Sequence, residues 1–151
     1  MRSGELCIRD VVTAFRTESA IEAAQRMAEM GVGDLIVVEE DDGTTRPIGI
    51  VTDRDLVVQV LARTDRAASD FKVGEVMKPA LVTATEDDDI ETVLASLRRN
   101  AIRRIPIVDR NGGLQGIISL DDVIEWMTEQ MRAATMLLEH QNQRLDSVRT
   151  R

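Results

Sequence analysis
The chain of 151 residues is poor in the side chains that most chemistry needs. Its one cysteine, Cys7, permits no internal disulfide and no cysteine-based metal cluster. Its one histidine, His140, stands near the C-terminal end. A Ser-His-Asp or Cys-His catalytic arrangement and a histidine-ligated zinc are therefore not expected. Aromatics are limited to Phe15, Phe71 and Trp126. Three scattered rings make no base-stacking platform for single strands. A basic surplus is missing too: the net charge is −8, the wrong sign for displacing counterions from a duplex. No apolar stretch has bilayer length, and the N-terminal MRSGELCIRD lacks the apolar core of a secretory signal. A cytoplasmic protein with neither a nucleic-acid nor a membrane partner is the expectation.

What the chain does have is a repeat. The octet GIVTDRDL at 49–56 returns as GIISLDDV at 116–123, 67 positions on. Upstream, AAQRMAEMGVGDLIVV at 23–38 lies over VLASLRRNAIRRIPIV at 93–108, with a spacing of 70. Gly31 matches Ala101 and Val32 matches Ile102, while Ile8–Val12 (IRDVV) is set against Val73–Met77 (VGEVM). The difference in spacing reads as a longer hairpin loop in the first copy. Each copy has the same order of elements. An extended stretch comes first, at Thr13–Phe15 and Leu81–Ala84. An amphipathic helix follows, with Ala20, Ala23, Ala24, Met27 and Ala28 on one face in the first copy and Ile90, Val93, Leu94 and Leu97 in the second. Ser19 and Glu22 have capping-box spacing, and Asp89 suits an N-cap. Two apolar runs then flank Asp42-Gly43 or Asn111-Gly112, a hairpin signal. A second helix starts in each octet. The expected fold class is α/β (α+β): two β-α-β-β-α repeats packed sheet to sheet with pseudo-two-fold symmetry, because one three-stranded sheet is marginal alone. The expected divisions are 1–64, a polar linker at 65–72, 73–130, and a helical extension at 131–151.

The octet is a strand-to-helix junction. Gly49 or Gly116 permits close backbone approach. Thr52 or Ser119 sits at the N-cap, with Asp55 or Asp122 three residues on. One reading is a T/S-x-x-D capping box. The other uses the same atoms for a ligand: a helix start favours an anion, and a carboxylate can hold two ribose hydroxyls. Gly31-Val-Gly33 precedes a strand and lacks a third glycine, so it is no dinucleotide fingerprint. The acid runs at 39–42 and 86–89 lack calcium-loop spacing and read as structural. At the C-terminus Leu120, Ile124, Met127, Met131, Ala134, Leu138, Gln141 and Leu145 form a heptad stripe. It predicts a helix to about residue 146 that lies along its own domain or, as favoured here, seals a dimer.

Taken together and in order, V-x-[DE]-V-[MV], the helix ending in M/L-x-x-x-G/A-[VI], the IPIVD run at 105–109 and both octets resemble a tandem pair of CBS domains. The resemblance covers about residues 8–130. It implies a Bateman module that binds an adenosine-containing ligand between the repeats, usually AMP, ADP or ATP, with S-adenosylmethionine and NAD also in the family's range. No cofactor is required, and disc-like homodimers and a regulated effector protein are implied as partners. By resemblance the ribose falls to Asp55 and Asp122, aided by Thr52 and Ser119. The pocket is lined by Val32, Gly33 and Asp34 in one copy and Ile102, Arg103 and Arg104 in the other. Adenine falls to Val12 or Val82 with Val32 or Ile102. The copies differ: Arg103 and Arg104 are expected to hold phosphate in the Asp122 cleft, whereas Asp34 would repel it and the Asp55 cleft would depend on Arg54. The alternative for the arginines is a solvated patch paired with nearby acids. The expected function is a stand-alone sensor, not an enzyme. The rival is a ligand-independent dimerisation or adaptor module working through its C-terminal helix.

Overall fold
The computed structural model of the chain describes residues 1–79 and 81–149, with side chains described as far as Glu139. Two three-stranded sheets carry the fold. The first consists of β1 (Thr13–Phe15), β2 (Asp34–Asp41) and β3 (Thr44–Thr52), and the second of β4 (Ala84–Thr85), β5 (Arg104–Val108) and β6 (Leu114–Ser119). In each, the first strand runs parallel to the second, and the third closes an antiparallel hairpin. The parallel pairs are joined by equivalent helices, α2 (Ala20–Met30) and α5 (Ile90–Asn100). Ser19 and Glu22 form a reciprocal cap on α2, and Asp89 caps α5 by accepting from the Thr92 N–H at 2.7 Å. Both helices end on a left-handed residue, Gly31 and Ala101. Ala20, Ala23 and Met27 are buried as the period predicts, but Ala24 and Ala28 are exposed, so the packed face of α2 is narrower than expected.

Alternation along the strands splits each sheet into two apolar faces. Leu35, Val37 and Val51 pack on α2, and Ile105, Ile107 and Ile118 pack on α5. Ile36 and Pro106, at equivalent positions on the opposite faces, are also buried. The sheets meet there, with β3 against β6. The second hairpin turns through five residues, 109–113, tied by Asp109 Oδ1 to the N–H groups of Asn111 and Gly113. The first turns through Asp42 and Gly43 alone, both with positive φ. The three additional residues of the first copy are therefore in longer strands, and its loop is the shorter one.

The short helices α1 (Ser3–Leu6) and α4 (Val73–Val76) revise the repeat register. SGELC at 3–7 is the counterpart of VGEVM at 73–77, and IRDVV is not. Each of these segments crosses to the other repeat. Ile8 pairs with Ile117 of β6, and Lys78 pairs with Ile50 of β3. Phe71, Val73 and Val76 thus complete the first core, so the expected polar linker at 65–72 contains a core residue, Phe71. Leu6 and Cys7 pack against the second core.

The helices that leave the octets differ. After β3, α3 (Asp53–Leu56) passes into a π-helical turn at Val57–Leu61, where the Ala62 N–H reaches the Val57 carbonyl at 2.9 Å. The β-branched run here is a weak α-helix former. After β6, α6 (Leu120–Arg149) runs uninterrupted for 30 residues, slightly beyond the expected end. No helix among the described residues is long and apolar enough to cross a membrane. Ile124, Met127, Met131 and Leu138 of the heptad stripe are exposed. The side chains of His140, Gln141 and Leu145 lie outside those described.

The crossing segments explain the octet glycines. A Cβ on Gly49 would lie 2.9 Å from the Lys78 carbonyl oxygen, and one on Gly116 would lie 2.6 Å from Cys7 Sγ and 2.9 Å from the Ile8 carbonyl oxygen. Both glycines leave room for backbone from the other repeat. Gly49→Ala and Gly116→Ala should each destabilise the chain by about 1–3 kcal/mol, the usual range for overpacking. Thermal unfolding checks this, with an expected fall of roughly 2–4 °C per kcal/mol.

Candidate functional site
Both octets build a reciprocal cap at their helix start. Thr52 Oγ1 accepts from the Asp55 N–H at 3.1 Å, and Asp55 Oδ2 accepts from the Thr52 N–H at 3.0 Å and its hydroxyl at 2.8 Å. In the second octet Ser119 Oγ accepts from the Asp122 N–H at 3.1 Å, while Asp122 Oδ2 accepts from the Ser119 N–H and hydroxyl at 2.7 and 2.6 Å. The loop before each middle strand is tied to the same place. The Asp53 N–H donates to the Gly33 carbonyl at 2.9 Å, and the Leu120 N–H donates to the Arg103 carbonyl at 2.8 Å. The capping reading of the octet is thus realised in both copies, and it uses only one oxygen of each carboxylate. Asp55 is 6% exposed, and its other oxygen, Oδ1, faces Lys78 Nζ at 3.3 Å. Asp122 is half-buried.

A cavity of about 580 Å³ opens at the first octet, within the roughly 300–1,000 Å³ typical of small-molecule sites. Thr52, Asp53 and Arg54 form one wall at the start of α3. Lys78, Leu81 and Val82 form another, on the chain between α4 and β4. Ile102, Arg103 and Arg104 come from the loop before β5 and its first residue, and Asp121, Gly33, Asp34 and Ile50 complete the lining. The surface is partly apolar, through Ile50, Leu81, Val82 and Ile102, and partly charged, with four cations against three carboxylates. An uncharged ring and an anionic group can both be accommodated.

Besides Lys78 with Asp55, a second ion pair spans the two repeats at this cavity. Arg104 Nη1 donates to Asp34 Oδ1 at 2.9 Å and lies 2.8 Å from Oδ2. The two residues occupy the same position of their repeats, as the first residues of β5 and β2. Burial pushes the Asp34 carboxyl up from its ordinary value; the Arg104 guanidinium, by its charge and its hydrogen bond, opposes that only in part. Arg103 lies 3.8 Å from Asp121 with both side chains exposed, a contact of little energetic weight.

The structure brings Thr52, Arg54, Gly33, Val82, Ile102, Arg103 and Arg104 together around this one cavity, with Asp55 capping the helix behind Thr52. It departs from the expected division of labour. Arg103 and Arg104 were assigned to the Asp122 cleft, yet they share the cavity with Arg54 and the first octet. The physical reason is that β2 and β5 begin side by side at the pseudo-two-fold axis, as the Asp34–Arg104 contact shows. Val12 and Val32 are half-buried against the first core, and Ser119 and Asp122 form the cap at the second octet; none of the four lines this cavity. Reading from the sequence missed Lys78, Leu81, Ile50, Asp53 and Asp121. The signal for the Lys78–Val82 segment was present: SGELCIRDVVTA at 3–14 over VGEVMKPALVTA at 73–84 shares Gly-Glu and Val-Thr-Ala at constant spacing.

Family comparison agrees with this fold. The CBS domain model matches residues 4–62 and 73–129, most of the chain. The chain is a member of the CBS domain family. An uncharacterised protein of Methanopyrus kandleri is 37% identical over 122 residues, a match covering 81% of this chain and 60% of that protein. Inosine-5'-monophosphate dehydrogenase of Thermoplasma acidophilum is 35% identical over 124 residues, but these are only 23% of the enzyme. This CBS pair therefore spans under two thirds of the length of both relatives. Among solved structures, a CBS domain protein from Pyrobaculum aerophilum complexed with AMP superposes with a TM-score of 0.70 at 28% identity, covering 81% of this chain and 89% of that one.

Proposed function
We propose that this CBS pair is a regulatory module that binds an adenosine-containing ligand, foremost AMP, ADP or ATP, in the cavity at the first octet. The observation that carries the reading is the convergence there of a capped helix start, an apolar wall and four cations. Val82 and Ile102 offer the apolar contact that an adenine needs. Asp55 Oδ1 is the carboxylate edge left over from the cap and suits a ribose hydroxyl. Arg54, Lys78 and Arg103 supply positive charge for phosphate beside the N-terminus of α3. The AMP complex of the Pyrobaculum aerophilum relative supports the ligand class. Asp122 and Ser119 are the corresponding groups for a second ligand at the other octet. The module transmits binding as a change in conformation or in assembly, and a ligand does so only by favouring one state over another.

Thermal unfolding against AMP, ADP, ATP, S-adenosylmethionine and NAD, with GMP as control, tests this. Ligand at about 100 times its dissociation constant stabilises by roughly 2.7 kcal/mol, a rise of about 5–10 °C for a chain of this size. At least one adenosine compound should give this rise and GMP should not. In Asp55→Ala the ligand-dependent part should disappear, over and above the cap loss of about 1 kcal/mol in the free chain. No shift with any adenosine compound would refute the ligand site.

A second reading is favoured by one specific observation: Ile124, Met127, Met131 and Leu138 expose an apolar stripe on α6. Such a stripe suits a homodimer seam, so the chain is also proposed to self-associate there. If dimerisation alone is the function, Met131→Glu should give monomers by sedimentation while ligands have no effect on either species. In the sensor reading, ligand stabilisation persists in the wild-type chain whatever its assembly.

A further inference from the structure
Arg104 differs from the other cations of the cavity in what it already holds. Its guanidinium is gripped by both oxygens of Asp34, at 2.8 and 2.9 Å, and the Asp34 side chain is only 13% exposed. Lys78 has a single contact to Asp55 at 3.3 Å and is 62% exposed, and Arg103 stands 3.8 Å from an exposed Asp121. A ligand phosphate directed at Arg104 therefore meets a carboxylate in its place. We infer that Asp34 is a built-in competing anion at this cavity, a specificity-determining residue that weakens binding of phosphate-bearing nucleosides relative to uncharged ones.

The inference rests on the reading of the cavity as an adenosine site, and three observations carry it beyond that reading. First, the pair is internal to the site: both residues line the same cavity. Second, the carboxylate is poorly hydrated, so giving up Arg104 to a ligand leaves it with little solvent to replace that partner. Third, Asp34 and a phosphate bear like charge, and like charges brought together in a partly buried site cost affinity. A nucleoside without phosphate meets none of these penalties, because it can fill the apolar wall at Val82 and Ile102 without disturbing the pair. The second repeat has no such device of its own, since the equivalent of Asp34 there is Arg104 itself.

The test is calorimetric titration of the full chain with adenosine and with AMP, in wild type, Asp34→Asn and Asp34→Ser. Removing the carboxylate should tighten AMP binding by about tenfold and leave adenosine nearly unchanged. An AMP-to-adenosine affinity ratio that stays constant, or moves toward adenosine, in a folded variant would overturn the role of Asp34 while leaving the adenosine site intact. Adenosine and AMP both failing to bind any of the three chains would overturn the site itself, and the inference with it. Loss of the folded state in both variants would show that the pair serves the fold, which also overturns it.

Discussion
Backbone from each repeat closes the sheet of the other. Ile8 and Ile117 exchange hydrogen bonds at 2.9 and 3.0 Å, and Lys78 and Ile50 do so at 2.8 and 3.1 Å. This reciprocal crossing is the constraint on which the rest depends. It demands glycine at 49 and 116, where a Cβ would strike the crossing segment. It carries Phe71, Val73 and Val76 into the first core, so neither repeat has a complete interior of its own. It also brings Lys78, Leu81 and Val82 beside the first helix start, which is why a cavity exists there with walls from both halves of the chain.

The octet cap and the proposed ligand contact call on one set of atoms. Thr52 with Asp55 and Ser119 with Asp122 satisfy helix-start N–H groups through one carboxylate oxygen each. Capping therefore fixes the carboxylate in place without consuming it. A residue held rigid by its own backbone bond is a better ligand group than a free one, because its ordering entropy is already spent. The structural and ligand readings of the motif are compatible, and the cap is what positions the group.

Much of this was legible because the duplication doubles every signal. The order of elements, the caps at Ser19 and Asp89 and the buried strands 35–38 and 105–108 follow from period and spacing alone. The crossing was not legible from periodicity, because segments of four helical residues carry no helical period. The misplaced register of IRDVV had the same origin, and it hid Lys78 and its contact with Asp55. That Arg103 and Arg104 line the cavity at the first octet was not legible for a different reason. Sequence places a residue within its repeat, whereas the cavity depends on how close the two strand starts lie across the pseudo-axis. Asp34 was legible as a carboxylate at a position where the other repeat carries a cation; that its partner is its own counterpart in the other repeat required the structure.

The central claim is that an adenosine ligand occupies the cavity at the first octet, between the two repeats. Methyl-resolved NMR of the full chain during an AMP titration tests it most directly. Leu81, Val82, Ile102 and Ile50 line that cavity and should report binding with the largest, saturable shifts, while Ile90 and Val93, deep in the second core, stay nearly still. Saturable shifts confined to residues away from the cavity, or no shifts at all at AMP concentrations up to millimolar, would contradict it.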